Sequence, residues 1–146
     1  IFIYPYTFLI LYPSLENFTT VIATFQGLVA VSDAISAMGL SDGKYNLGQY
    51  EIEVKGPRAV IAGTETLCGA SVTLYDAVRN LVKLADCSIV EAIESATLHP
   101  AQALGIEHIK GTLAFGADAD FILVDKETLD LSSTWIGGQC VFQKNA

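Results

Sequence analysis

One carboxylate stands out because of its position in the sequence. Asp33 follows the apolar run Gly27–Val31 and the small polar residue Ser32. A short apolar run of this kind is typical of a fully buried parallel strand, and in α/β folds the loops that bind ligands converge at the carboxyl ends of such strands. A carboxylate at that point can take a proton from water and return it to a leaving amine. The alternative is an aspartate that caps the following loop through backbone N–H groups.

A second segment with possible chemistry is Ala62–Ser71, which is small, contains glycine and lies between a predicted strand and a predicted helix. Its backbone could approach a ligand closely, although an ordinary loop is the alternative. It is not a P-loop, because no Gly-Lys-Ser/Thr follows. Cys68 has no assignable base, since the two histidines lie about thirty or more positions away, so we interpret it as a buried or loop thiol.

The histidines His99 and His108 are predicted to have structural or surface roles. His99 precedes Pro100 at a helix junction, His108 lies in a short connector, and a metal centre needs several ligands. We therefore predict no metal site built from this chain. The three cysteines include no Cys-x-x-Cys pair, which favours a reducing, cytoplasmic setting over a disulfide scaffold.

The elements that must position these residues follow from hydrophobic periodicity. Alternation in Glu51–Lys55 and the run Ala59–Ala62 predict a β-hairpin with one solvated face. Apolar residues at three- and four-residue steps predict a helix over Thr73–Ala85 that packs on the strand before Asp33.

Two further helices are predicted, followed by a segment without helical periodicity. Ser88 and Glu91 form a capping-box pattern for a helix reaching about Leu98, and Pro100 opens a third helix that Gly105 ends. Beyond Lys110, short strands separated by glycine turns predict a small β-structure.

Composition narrows the function. The chain has 146 residues and a formal net charge of −8, with its lysines and arginines scattered singly, so nucleic acid is not expected as a partner. The apolar stretch Ile1–Tyr12 is too short for a spanning helix and contains Pro5, and no Lys or Arg occurs before Lys44 to supply a signal-peptide n-region. We interpret residues 1–25 as a non-homologous hydrophobic leader, with a structural strand as the alternative, and expect no membrane partner.

Four segments resemble the C-terminal third of N-acetylglucosamine-6-phosphate deacetylases, in the same order and at similar spacings. The resemblance covers about residues 26–146, and its four segments are Gln26–Leu40, Ala62–Ser71, Ser95–Gly105 and Lys110–Asp125. The last two segments recur across the amidohydrolase superfamily, whereas the first two point to the deacetylase.

The resemblance implies an α/β fold: the C-terminal part of a (β/α)8 TIM barrel over residues 26–105, and strands of a small flanking β-sandwich over residues 106–146. It implies that Asp33 is the general acid and base of amide hydrolysis. It also implies that Leu67, Cys68 and Gly69 lie against the bound sugar and its acetamido group.

The implied reaction is metal-dependent removal of acetate from N-acetylglucosamine 6-phosphate, with a divalent ion such as zinc polarising the acetamide carbonyl and activating water. The family's metal ligands, a Glu and two His residues, belong to earlier barrel strands. Residues 1–25 contain no His and only Glu16, so we expect this chain alone to bind no catalytic metal and to turn over no substrate. In the full-length protein we expect a homo-oligomer.

Two alternatives remain open. The segment Gly116–Asp120 is equally consistent with another amidohydrolase, one that acts on a cyclic or linear amide. The chain could also be a non-catalytic truncated paralogue.

Overall fold

The computed structural model describes residues 7–10, 27–85 and 87–145, and these form nine strands and three helices. They divide into two compact units, with the boundary between Ala96 and Thr97. The sequence-based division at residues 25 and 105 refers to homologous domains and stays a prediction. No helix in the described ranges is both long enough and apolar enough to cross a lipid bilayer.

The first unit contains the strand that leads to Asp33. Strand β1 (Thr7–Ile10) pairs in parallel with β2 (Leu28–Val31), and Thr7 lies opposite Leu28. Leu28, Val29 and Ala30 are buried, which confirms the predicted buried parallel strand. β1 lies within residues 1–25, where a structural strand is the alternative to a non-homologous leader. The leader's other residues, 1–6 and 11–25, lie outside the described ranges.

A second sheet in this unit has four antiparallel strands that follow chain order. They are β3 (Gly43–Leu47), β4 (Tyr50–Lys55), β5 (Arg58–Ile61) and β6 (Leu67–Ala70). The predicted hairpin is the central β4–β5 pair, with Val54 opposite Ala59. Ile52 and Val54 are completely or almost completely buried, so the predicted single solvated face is confirmed. The outer strands β3 and β6 were not predicted.

Two helices complete the first unit. α1 (Leu74–Leu84) begins after the N-cap Thr73, and α2 (Ile89–Glu94) begins after Ser88. In the predicted capping box, the Glu91 N–H donates to the Ser88 hydroxyl and the Ser88 N–H donates to the Glu91 carboxylate at 2.8 Å. The Ser88 hydroxyl and N–H together lower the pKa of Glu91, because both stabilise the carboxylate. α2 ends four residues before the expected Leu98.

The core of this unit joins β2 to α1, as predicted. Leu28 and Ala30 lie in one buried cluster with Ala77, Val78 and Leu81 of α1. The Ala30 N–H also donates to the carbonyl of Ser95 at 2.9 Å. This strand is therefore fixed on its apolar face by side-chain packing and along its backbone by hydrogen bonds.

The second unit consists of a short helix and a three-stranded antiparallel sheet. Its elements are α3 (Leu98–Leu104), β7 (Phe121–Val124), β8 (Leu131–Ile136) and β9 (Gln139–Gln143). Gly105 ends α3 with φ of +70°, as its position predicted. The rings of Phe121 and Trp135 stack on adjacent strands, with centroids 5.5 Å apart.

Lys110, Asp118 and Asp120 form an ion-pair cluster in the segment between α3 and β7. The Lys110 ammonium donates to Asp118 at 2.8 Å and also contacts Asp120, whose other oxygen accepts the N–H of Gly137 at 2.7 Å. Asp118 and then Asp120 raise the pKa of Lys110, and Lys110 lowers that of Asp120. The Gly-Ala-Asp-Ala-Asp segment therefore has a structural role within this unit: it ties the chain before β7 to the β8–β9 turn.

The burial of α1 predicts a sharp difference between two of its leucines. Leu81 is completely buried, whereas Leu84 is 46% exposed. Leu81→Ala should lower the free energy of unfolding by about 2–5 kcal/mol, because it leaves a cavity against β2. Chemical denaturation of the purified protein measures this difference, with Leu84→Ala as the matched control. Equal destabilisation by the two variants would contradict the observed packing of α1.

Candidate functional site

Asp33 lies two residues beyond the end of β2, at the carboxyl end of a buried parallel strand, where the sequence predicted it. Its backbone has a left-handed φ of +50°, a conformation that is uncommon for residues other than glycine and in which aspartate and asparagine are enriched. The residue itself is exposed. The chain thus turns sharply at this point and presents the side chain to solvent.

The local hydrogen bonds do not support the alternative in which the Asp33 side chain caps the following loop. The N–H of Ala34 donates to the hydroxyl of Ser32 at 3.3 Å, so Ser32 supplies the local cap. Within the described residues, no hydrogen bond engages the Asp33 carboxylate. That carboxylate is free to contact a ligand.

The backbone around Asp33 is held by β6. The carbonyl of Asp33 accepts the N–H of Ala70 at 2.9 Å, and the N–H of Ile35 donates to the carbonyl of Ala70 at 3.0 Å. Ala34 and Ala70 form an isolated parallel bridge. The two segments that the sequence singled out, Asp33 and Leu67–Gly69, are therefore neighbours in the fold.

Leu67, Cys68 and Gly69 lie in a strand, which corrects the expectation of a loop over Ala62–Ser71. Only the first part of that segment is a turn. The rest becomes β6 because its backbone pairs with β5, across an irregularity between Ala59 and Val60. Leu67 is 38% exposed, Cys68 is half-buried and Gly69 is buried.

Gly69 makes the close approach between the two segments possible. Its φ is +134°, and a Cβ added there would lie 2.5 Å from Cγ2 of Ile35 and 3.0 Å from the carbonyl oxygen of Asp33. Both distances are shorter than ordinary van der Waals contact. Only glycine fits this backbone position without moving the chain that carries Asp33.

Sequence reasoning missed Ile35 and Ala70, which hold the two segments together. Ile35 and Cys68 both pack against one buried cluster, formed by Ala37, Ile52, Val54 and Ala59. Ala70 is completely buried. Both residues are ordinary apolar positions in the sequence, and no local pattern distinguishes them, because their role comes from tertiary pairing.

The two histidines lie in the second unit. His99 is buried within α3, and His108 is exposed in the connector that follows. Across residues 7–10, 27–85 and 87–145, no three His, Cys, Asp or Glu side chains form a group that could hold a metal ion. The described residues therefore do not fit a complete metal centre.

Comparison with known proteins decides the family. The model of the amidohydrolase family matches residues 20–143. The chain belongs to the amidohydrolase family. Amidohydrolases are generally metal-dependent.

Among amidohydrolases, this chain is similar to proteins named N-acetylglucosamine-6-phosphate deacetylase. The Homo sapiens protein is 50% identical over 121 residues, which are 83% of this chain and 29% of that protein. The chain thus spans less than a third of the length of this curated relative.

Solved structures carry the same name. The Thermotoga maritima deacetylase is 34% identical, with a TM-score of 0.75, over 83% of this chain and 32% of that one. A Mycobacterium smegmatis mutant in complex with N-acetyl-D-glucosamine-6-phosphate is 32% identical, with a TM-score of 0.72, over 81% of this chain and 31% of that one. These similarities confirm the expected fold class, an α/β chain that forms part of an amidohydrolase barrel with additional β-strands.

The left-handed backbone at Asp33 predicts which substitutions the site tolerates. Asp33→Asn should leave stability nearly unchanged, because asparagine adopts this conformation readily. Asp33→Val should lower the free energy of unfolding by about 1–2 kcal/mol, because a β-branched residue is strained there. Denaturation curves of the two variants measure the difference. Equal stability of the Asn and Val variants would mean that Asp33 does not adopt the observed backbone conformation.

Proposed function

We propose that this chain supplies the C-terminal part of an N-acetylglucosamine-6-phosphate deacetylase, which hydrolyses its substrate to glucosamine 6-phosphate and acetate. The observation that carries the proposal is the position of Asp33. An exposed, unengaged carboxylate at the end of a buried parallel strand lies beside β6, and the chain is 50% identical over 121 residues to a protein of that name.

In this reaction Asp33 moves one proton. Its carboxylate accepts a proton from water as the water oxygen bonds to the acetyl carbonyl carbon. The carboxylic acid then donates that proton to the amide nitrogen as the carbon–nitrogen bond breaks, so that acetate and the amine leave. A positioned acid and base of this kind contributes about a hundred- to ten-thousand-fold to the rate.

Leu67, Cys68 and Gly69 are proposed to lie against the sugar and its acetamido group. Their strand is hydrogen-bonded to the chain that carries Asp33, which supports contact of both with one ligand. Glycine at position 69 lets β6 approach the segment Asp33–Ile35 closely, because an added Cβ would lie 2.5 Å from Cγ2 of Ile35. Leu67, the first residue of β6, is exposed enough to offer an apolar contact to the sugar.

The remaining parts of the proposal concern the complete enzyme. Its divalent metal ion, zinc or a similar ion, would be bound by residues outside this chain, since the described residues do not fit a metal centre. The complete enzyme would act in the cytoplasm as a homo-oligomer on a small amino-sugar phosphate. Neither nucleic acid nor membrane is proposed as a partner.

The role of Asp33 predicts a large loss of turnover in the full-length protein that carries this chain. Asp33→Asn should reduce kcat for N-acetylglucosamine 6-phosphate by about a hundred- to ten-thousand-fold, because the amide cannot carry the proton. Release of acetate measures the rate, and metal content is measured in the same samples so that loss of the ion is not mistaken for loss of the base.

Asp42→Asn is the matched control. Asp42 is an exposed aspartate whose Oδ1 accepts the N–H of Gly56 at 2.8 Å, and the amide oxygen of asparagine can still accept that bond. This control should retain the parent rate. An undiminished rate in the metal-loaded Asp33→Asn protein would refute the proposal, and turnover of ring amides in place of the sugar phosphate would favour the alternative amidohydrolase.

A further inference from the structure

We propose that Gly69 is a positioning residue for Asp33: the absence of a side chain at Gly69 sets where the proton-transferring carboxylate lies. This inference rests on the proposed function and extends it, because it assigns to Gly69 a role in the rate of the reaction in addition to contact with the sugar. Gly69 would act through Asp33 and would not itself exchange a proton.

The first support is the direction of the steric contact. The two nearest atoms to a Cβ at position 69 are Cγ2 of Ile35, at 2.5 Å, and the carbonyl oxygen of Asp33, at 3.0 Å. Both belong to the three-residue segment Asp33–Ile35. A side chain at position 69 would therefore push directly on the backbone that orients Asp33.

The second support is that this segment has little freedom to move away. Ile35 packs against the buried cluster of Ala37, Ile52, Val54 and Ala59, so its side chain cannot move away without opening that core. The carbonyl of Asp33 already accepts the N–H of Ala70, so displacing it lengthens that hydrogen bond.

The third support is the conformation of Asp33 itself. Its φ of +50° is sparsely populated and is maintained by the surrounding structure. When the hydrogen bond from Ala70 is disturbed, the backbone can relax towards negative φ and rotate the carboxylate away from its place. A misplacement of about 1 Å can lower a rate by about a hundredfold.

The experiment uses the full-length protein and measures kcat and KM for N-acetylglucosamine 6-phosphate. Gly69→Ala should lower kcat at least tenfold while KM changes less than threefold, because the base is displaced and the sugar contacts are largely kept. Gly48→Ala is the matched control: its φ of +59° is also positive, but nothing lies within 4 Å of an added Cβ. The control should keep kcat within about twofold of the parent.

Two double variants separate positioning from general structural damage. Ile35→Ala removes the nearer of the two contacts, so adding it to Gly69→Ala should raise kcat at least fivefold above the Gly69→Ala value. In an Asp33→Asn background, Gly69→Ala should lower the residual rate less than twofold, because the group through which it acts is already lost. If the single Gly69→Ala protein does not fold, the Gly69→Ala/Ile35→Ala protein is compared with Ile35→Ala instead: its kcat should stay within about fivefold of Ile35→Ala, because the nearer contact is absent, and a larger loss would overturn the inference.

The outcomes distinguish this inference from the proposed function. Full activity of the Asp33→Asn protein would refute both the proposed function and this inference. Loss of activity in Asp33→Asn together with a normal kcat in Gly69→Ala removes the inference alone. An effect of Gly69→Ala that persists undiminished in the Asp33→Asn background, or that appears wholly in KM, also overturns it.

Discussion

Two backbone hydrogen bonds join the segment Asp33–Ile35 to Ala70, and the arrangement of the candidate site depends on them. They bring the end of a buried parallel strand against the last strand of an antiparallel sheet. The approach is possible because Gly69 has no side chain. Each segment is anchored separately, since β2 packs on α1 and Cys68 of β6 packs on the core of the sheet. The position of the Asp33 carboxylate is thus determined by contacts that belong to two different cores.

The sequence predicted the elements whose signals are local. The buried strand before Asp33, the helix α1 and the capping box of α2 each depend on residues within one short window, and all three were found. α2 ended early because the backbone leaves the helical region after Ser95: Ser95 still has helical angles and its hydroxyl donates to the carbonyl of Ala92, whereas Thr97 has φ of −130° and ψ of −79°. The apolar pattern of this segment carries no sign of that break.

The parts that could not be predicted depend on pairing between distant residues. β6 contains Leu67, Cys68, Gly69 and Ala70, which show neither alternation nor β-branched residues, and it is a strand only because β5 supplies its partner. β3 was missed for the same reason, since its register comes from β4. The left-handed backbone at Asp33 likewise follows from the hydrogen bonds to Ala70. The sequence could therefore predict Asp33 and Gly69 separately as site residues, but it could not show that they are in contact.

Amide hydrogen exchange, followed residue by residue in the folded protein, tests most directly whether these two hydrogen bonds exist. We expect the amides of Ile35 and Ala70 to exchange at least about a hundredfold more slowly than in an unfolded chain, because each is a donor in a closed backbone pair. The amide of Leu81 in α1 reports that the protein is folded. Exchange of Ile35 and Ala70 at unfolded rates, while Leu81 stays protected, would mean that these two hydrogen bonds do not hold Asp33 against β6.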